Sequence, residues 1–164
     1  MTSNPLVAYN HLMQNVLERT IELKAPMERV FAAITDPAEF GKWFSEGVEG
    51  DFEVGSQPII DEGQYGKFRL AIVDKRPYSY FAYRWVSGMA FVPQGFTDDP
   101  LTHPNTLVEF FLEPTEAGTR LKVVETGFAE LPAAYAEQNF TDNMGGWEYQ
   151  MKSLASYLDR KLGA

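Results

Sequence analysis

The chain predicts an α+β fold in which a curved antiparallel sheet of six or seven strands is wrapped around one long C-terminal helix. Three observations lead there. Between Asp142 and Leu162, the apolar residues Trp147, Met151, Leu154, Leu158 and Leu162 recur at helical spacing, while Glu148, Lys152, Asp159 and Arg160 fall elsewhere on the wheel. Upstream, successive short segments alternate apolar and polar residues and are joined by brief turns, the pattern of strands that pair antiparallel. No repeat, linker or low-complexity run divides the chain, so strands and long helix belong to one layered unit.

The elements follow in order. Residues 1–14 show no period and read as an N-terminal arm, leaving 15–164 as a single domain. From Asn15 to Lys24, Leu17, Arg19, Ile21 and Leu23 alternate with Val16, Glu18, Thr20 and Glu22, so the first strand carries Arg19 on its apolar side, pointing inward. Ala25-Pro26 ends that strand, and Pro26 suits the start of a helix, Met27 to Thr35, whose inner stripe is Val30, Phe31 and Ile34. Asp36-Pro37 breaks it, and a second short helix, Ala38 to Trp43, carries Phe40, Trp43 and Phe44 toward the core.

Gly47, Gly50 and Gly55 frame a short strand over Asp51 to Val54; their spacing matches no phosphate-binding loop, and they read as turns. Strands are then expected over Gln57 to Asp61, Gly66 to Lys75 and Tyr78 to Val86. The connection from Ser87 to Asn105 contains Met89, Phe91, Val92 and Phe96, apolar residues that an idle surface loop seldom carries, and reads as a lid or mouth segment. Thr106 to Glu113 and Thr119 to Phe128 form a hairpin, and a helical stretch after Leu131-Pro132 leads into the last helix. Its 21 residues would span about 31 Å, with Thr141, Asp142 or Asn143 as cap and Gly163 as stop. Gly145 and Gly146 in its first turns mark either a close approach to the backbone or a frayed start.

Composition narrows the function classes. The 164 residues suffice for one real core, and 12 Phe, 8 Tyr and 3 Trp exceed what packing alone demands, which suits a ring-lined cavity. A net charge of −9 and a pI near 4.7 argue against a nucleic-acid partner and against an acidic membrane surface. The absence of cysteine excludes disulfides, thiol catalysis and thiolate metal sites. The amino terminus lacks the apolar core of a signal peptide, and no apolar run is long enough to span a bilayer, so the expectation is a soluble, cytoplasmic protein.

Several motifs carry a family resemblance: Ala25-Pro26-Met27-Glu28-Arg29-Val30-Phe31 with Thr35-Asp36-Pro37 and Trp43-Phe44; Val124-Glu125-Thr126-Gly127-Phe128; and Asn143-Met144-Gly145-Gly146-Trp147. Together, and in this order, they resemble the activator of Hsp90 ATPase homologue 1-like family within the START/Bet v 1-like (SRPBCC) superfamily. The resemblance runs from about residue 15 to residue 162 and implies a helix-grip fold with a hydrophobic cavity between sheet and C-terminal helix. It leaves function open, because the superfamily hosts carriers, cyclases, hormone receptors and co-chaperone domains. The eukaryotic co-chaperones carry a further N-terminal domain that has no counterpart in these residues.

The expected cavity lining is Trp43, Phe44, Phe68, Tyr83, Trp85, Phe91, Phe96, Trp147 and Met151, with Arg19 and Glu125 as charged residues facing inward that need each other or a ligand. Arg69, Arg84 and Glu109 are assigned to a solvated outer face, and His11 and His103 to the surface. Two separated histidines and no thiolates give no metal site, no cofactor is indicated, and no Gly-x-Ser-x-Gly elbow is present. The leading expectation is therefore binding of a small hydrophobic or amphipathic molecule, oriented by Arg19 or Glu125. The alternatives are a cyclase- or hydrolase-type enzyme in the same cavity, with Glu125 assisted by Tyr65 or Tyr83, and an Hsp90-activator-like protein-interaction domain.

Overall fold

The computed structural model describes residues 15–86 and 96–162, with side chains to residue 160. The N-terminal arm with His11, the first half of the expected lid segment including Met89, Phe91 and Val92, and the Gly163 stop lie outside the described residues. Seven strands form one sheet: β1 (Val16–Leu23), β2 (Gly47–Glu49), β3 (Ile59–Asp61), β4 (Lys67–Arg76), β5 (Tyr80–Trp85), β6 (Thr106–Pro114) and β7 (Thr119–Thr126). Their order is β1-β7-β6-β5-β4-β3-β2, every neighbouring pair antiparallel. Alternation puts Leu121 and Val123 of β7, Val108 and Phe110 of β6, and Phe81 and Tyr83 of β5 on one buried face, against which Leu154 and Leu158 of the last helix pack. This is the helix-grip arrangement expected for the chain.

Two short helices follow β1: α1 (Met27–Thr35) and α2 (Pro37–Trp43). Asp36 Oδ1 accepts from the Ala38 amide at 3.0 Å, and Pro37 opens α2, so one Asp-Pro pair ends α1 and caps the next helix. Trp43 Nε1 donates to the Ala33 carbonyl, and Ser153 Oγ of the last helix donates to the Trp43 carbonyl. The end of α2 is thereby fixed against the long helix.

Three expected boundaries are corrected. The short strand near the glycines is Gly47–Glu49, not Asp51 to Val54: Gly50 and Gly55 both take positive φ, so the intervening residues turn, and Phe52 drops into the core between Phe40 and Phe81. Strand β5 begins at Tyr80, because Tyr78 has φ 71° and forms the hairpin turn. The last helix, α3 (Ala136–Leu162), has 27 residues and starts six residues before Asp142, about 9 Å of extra length. Thr141, Asp142 and Asn143 are therefore interior to it and cap nothing, and Gly145 and Gly146 lie well inside it, with nothing within 4 Å of a Cβ built on either.

Candidate functional site

At the end of β7, Glu125 continues the inward row of Leu121 and Val123 and is completely buried, with Leu17 and Val108 as its neighbours across the two adjoining strands. Four neutral side chains converge on it. Trp147 Nε1 donates to Oε1 at 2.8 Å, Trp85 Nε1 and Thr106 Oγ1 donate to Oε2 at 2.8 and 2.6 Å, and Asn143 Nδ2 reaches both oxygens at 3.0 and 3.1 Å. Burial pushes the carboxyl pKa up, while the donors from Thr106, Trp85, Trp147 and Asn143 pull it back. Indole N–H groups can only donate, so the ionised carboxylate is the form this donor set suits. The cluster ties β5, β6 and β7 to α3 through a single residue.

Around this carboxylate the rings are in mutual contact. Trp85 lies 5.7 Å from Trp147, 5.7 Å from Phe68, 5.4 Å from Tyr83 and 6.1 Å from Phe44, while Phe44 stacks on Phe40 at 4.5 Å. Trp43, Phe44, Phe68, Tyr83, Trp85, Trp147 and Met151 are all buried. Tyr83 is fully buried and its hydroxyl has no hydrogen-bond partner among the described residues. Burial, reinforced by Glu125 and Glu62, holds its phenol well above the usual pKa. Glu62 follows β3 and opens the turn that leads to β4; burial first, then Glu46 and Asp61, pushes its carboxyl up to about 7.

The expected site residues thus divide. The structure brings Trp85, Glu125 and Trp147 into one hydrogen-bonded group with Phe44, Phe68 and Tyr83 around it. Arg19 is not joined to Glu125: it is half-buried on β1, an edge strand, and its guanidinium donates to the Glu18 carbonyl at 2.9 Å. Phe96 is half-buried and packs edge-on against His103 at 4.9 Å, and Phe91 lies outside the described residues. Tyr65 is 62 % exposed on a turn. Both Glu125 oxygens already accept at least two hydrogen bonds each, which leaves the carboxylate poorly placed for acid–base work on a ligand. Among the outer-face residues, Arg69 is half-buried, donating to the Thr97 and Gln57 carbonyls, and Glu109 accepts from Tyr80 at 2.5 Å.

Sequence reasoning missed Thr106, Asn143 and Glu62. Asn143 and Trp147 sit four apart, on one face of a helix, a spacing that flags the pair once Asn143 is taken as interior to α3 rather than as its cap. Among the described residues, no three His, Asp or Glu side chains are arranged to hold a metal ion.

The family model for activator of Hsp90 ATPase homolog 1-like proteins matches residues 24–159. No curated protein matches the chain significantly. Solved structures share the fold at low identity. Protein MLL2253 from Mesorhizobium loti is 21 % identical, with a TM-score of 0.70 over 88 % of this chain and 97 % of that one. DynU16, from the dynemicin biosynthetic locus, is 21 % identical with a TM-score of 0.68 over 88 % of this chain, which spans 47 % of DynU16. The Aha1 dimer from Colwellia psychrerythraea is 20 % identical, with a TM-score of 0.62 over 85 % of this chain and 92 % of that one.

Proposed function

Since the chain belongs to the activator of Hsp90 ATPase homolog 1-like family, we propose that it binds a small hydrophobic or amphipathic molecule between the inner face of the sheet and α3. The observation that carries this reading is the Tyr83 hydroxyl, fully buried among the rings of Phe81, Trp85 and Phe110 and without a partner among the described residues. A buried polar group left unmade costs about 1 to 3 kcal/mol, a cost that a ligand group can relieve. Trp43, Phe44, Phe68, Trp85, Trp147 and Met151 supply the apolar contact, and Glu125 orients the two indoles. Phe96 belongs to the connection after β5 that we assign to the mouth.

The test is titration of the native protein with an apolar probe dye, read by energy transfer from tryptophan, with nonanol as competitor. Saturable binding displaced by nonanol is expected, and Phe44→Ala should weaken it while the far-ultraviolet circular dichroism is kept. A solid aromatic core would bind no dye and would lose only stability on that change.

A second reading, a protein-interaction domain of the Hsp90-activator kind, has one observation in its favour. The outer face of the sheet carries a hollow of about 340 Å³ lined by Thr20, Ser79, Phe111, Glu113, Arg120 and Lys122, with Phe111 37 % exposed and the Lys122 ammonium over its ring at 5.2 Å. Failure of the native protein to bind any apolar probe would favour this surface over the cavity.

A further inference from the structure

The hollow on the outer face of the sheet has the makings of a small-molecule site of its own, independent of any cavity between sheet and α3. Strand register sets its floor. Thr20 of β1, Lys122 of β7, Phe111 of β6 and Tyr80 of β5 lie opposite one another in one row, about 14 Å across the four strands. Glu22, Arg120 and Glu113 form the next row on the same face. The hollow of about 340 Å³ draws its lining from both rows, with Ser79 closing one end.

The two rows use their charges differently. Arg120 donates through Nε to Glu22 and through Nη1 to Glu113 at 2.9 Å, so one guanidinium holds both carboxylates and keeps three of its five N–H groups uncommitted. Glu109, on the other side of Phe111, accepts from Tyr80. Lys122 makes no ion pair among the described residues; its ammonium lies over the Phe111 ring at 5.2 Å, toward β6 and away from Glu18 of β1. The Thr20 and Ser79 side chains are exposed and take part in no hydrogen bond among the described residues. The uncommitted polar groups are thus an ammonium, part of a guanidinium and two hydroxyls, beside a ring that is 37 % exposed. Two carboxylates, Glu22 and Glu113, against two cations, Arg120 and Lys122, leave the hollow electrically balanced within a chain of net charge −9.

A protonated amine placed here would meet Lys122, the one charge in the two rows without a counter-ion, and a neutral amide would gain only ordinary hydrogen bonds. A carboxylate can accept from Lys122 and Arg120 together, because residues two apart on one strand face stand about 7 Å apart at the backbone. The volume lies at the low end of the roughly 300 to 1,000 Å³ of small-molecule sites, which suits a compact ligand. We propose that this hollow binds a small carboxylic acid, its carboxylate between Lys122 and Arg120 and its apolar body against the exposed part of Phe111.

The test is titration of the ¹⁵N-labelled native protein with benzoate, benzamide and benzylamine, equal in apolar body, followed by amide chemical shifts. Benzoate should bind about tenfold tighter than benzamide, and benzylamine weakest. The shifts should centre on Thr20, Phe111, Arg120 and Lys122, leave Trp147 and Met151 unmoved, and persist when nonanol is present. Lys122→Gln should bring benzoate to the affinity of benzamide, and Phe111→Ala should weaken both ligands, with the rest of the spectrum preserved in each variant. Equal affinity for benzoate and benzamide, tighter binding of benzylamine, or no saturable shift up to about 20 mM benzoate would overturn the assignment and leave the cavity reading untouched. Benzoate shifts confined to Trp147 and Met151 would overturn it in favour of the inner cavity. An acetylated Leu-Asp-Leu amide, titrated in parallel, should bind no tighter than benzoate; tighter binding would overturn the small-ligand assignment and give the surface to a protein partner.

Discussion

Glu125 on β7 and Trp147 on α3 meet in a 2.8 Å hydrogen bond from the indole nitrogen to Oε1, inside a region closed to solvent. A carboxylate there costs desolvation energy that only a complete donor set can offset, so the cluster is sensitive to the loss of any member. Glu125→Leu strands two indole N–H groups and should destabilise the fold by about 3 to 5 kcal/mol. Glu125→Gln keeps the shape but turns an amide NH₂ toward groups that donate, and should cost about 1 to 3 kcal/mol. Urea denaturation followed by tryptophan fluorescence reads both; a loss below 0.5 kcal/mol in each would mean that the donor set is not formed.

Leu154 is fully buried where α3 crosses the sheet, and Leu154→Ala should cost about 2 to 5 kcal/mol, as large-to-small core changes do. The same denaturation series measures it, and a near-neutral result would show that this face of α3 is not packed.

How far the sequence foretold these contacts depended on whether the signal was local. Leu154 and Leu158 belong to a regular helical period, and β7 alternates Leu121, Val123 and Glu125, so both the grip of α3 and the inward Glu125 could be read directly. The start of α3 carries a weaker signal, because Ala136, Phe140 and Met144 continue the stripe of Trp147 at helical spacing but are only partly buried, with Phe140 packed on Phe128 as their anchor. The partners of Glu125 lie 18 to 40 residues away in sequence, and only the folded sheet brings them together. Arg19 shows the limit of alternation on an edge strand. Its side of β1 is the apolar one, yet with β7 alone beside it the long side chain bends back to the Glu18 carbonyl.

Gly145 and Gly146 sit on the exposed side of α3 with open space where a side chain would stand. Gly145→Ala and Gly146→Ala should each stabilise the isolated protein by about 0.5 to 1 kcal/mol, the ordinary preference of a helix for alanine. Thermal unfolding measures the gain. Destabilisation would place another part of the chain against that backbone.

Glu62 supplies the last prediction, through the direction of its pKa. Burial, Glu46 and Asp61 raise the carboxyl from its ordinary 4.5 to about 7 in the folded protein. The native state therefore holds this proton more tightly than the unfolded chain. Its contribution to stability is complete below pH 4.5 and is lost as the pH rises from 4.5 to 7. Glu125, raised by burial, acts in the same sense. Glu62→Gln cannot ionise, so the variant should match the parent near pH 4.5 and exceed it at pH 8 by about 1 to 2 kcal/mol, a figure reduced for the group's remaining contact with water. Glu46→Gln should shift the balance the same way by less, since it removes only one of the charges that disfavour ionised Glu62. Urea midpoints at the two pH values, at constant ionic strength, decide it. Parallel curves for parent and Glu62→Gln would mean that Glu62 is solvated in the folded protein.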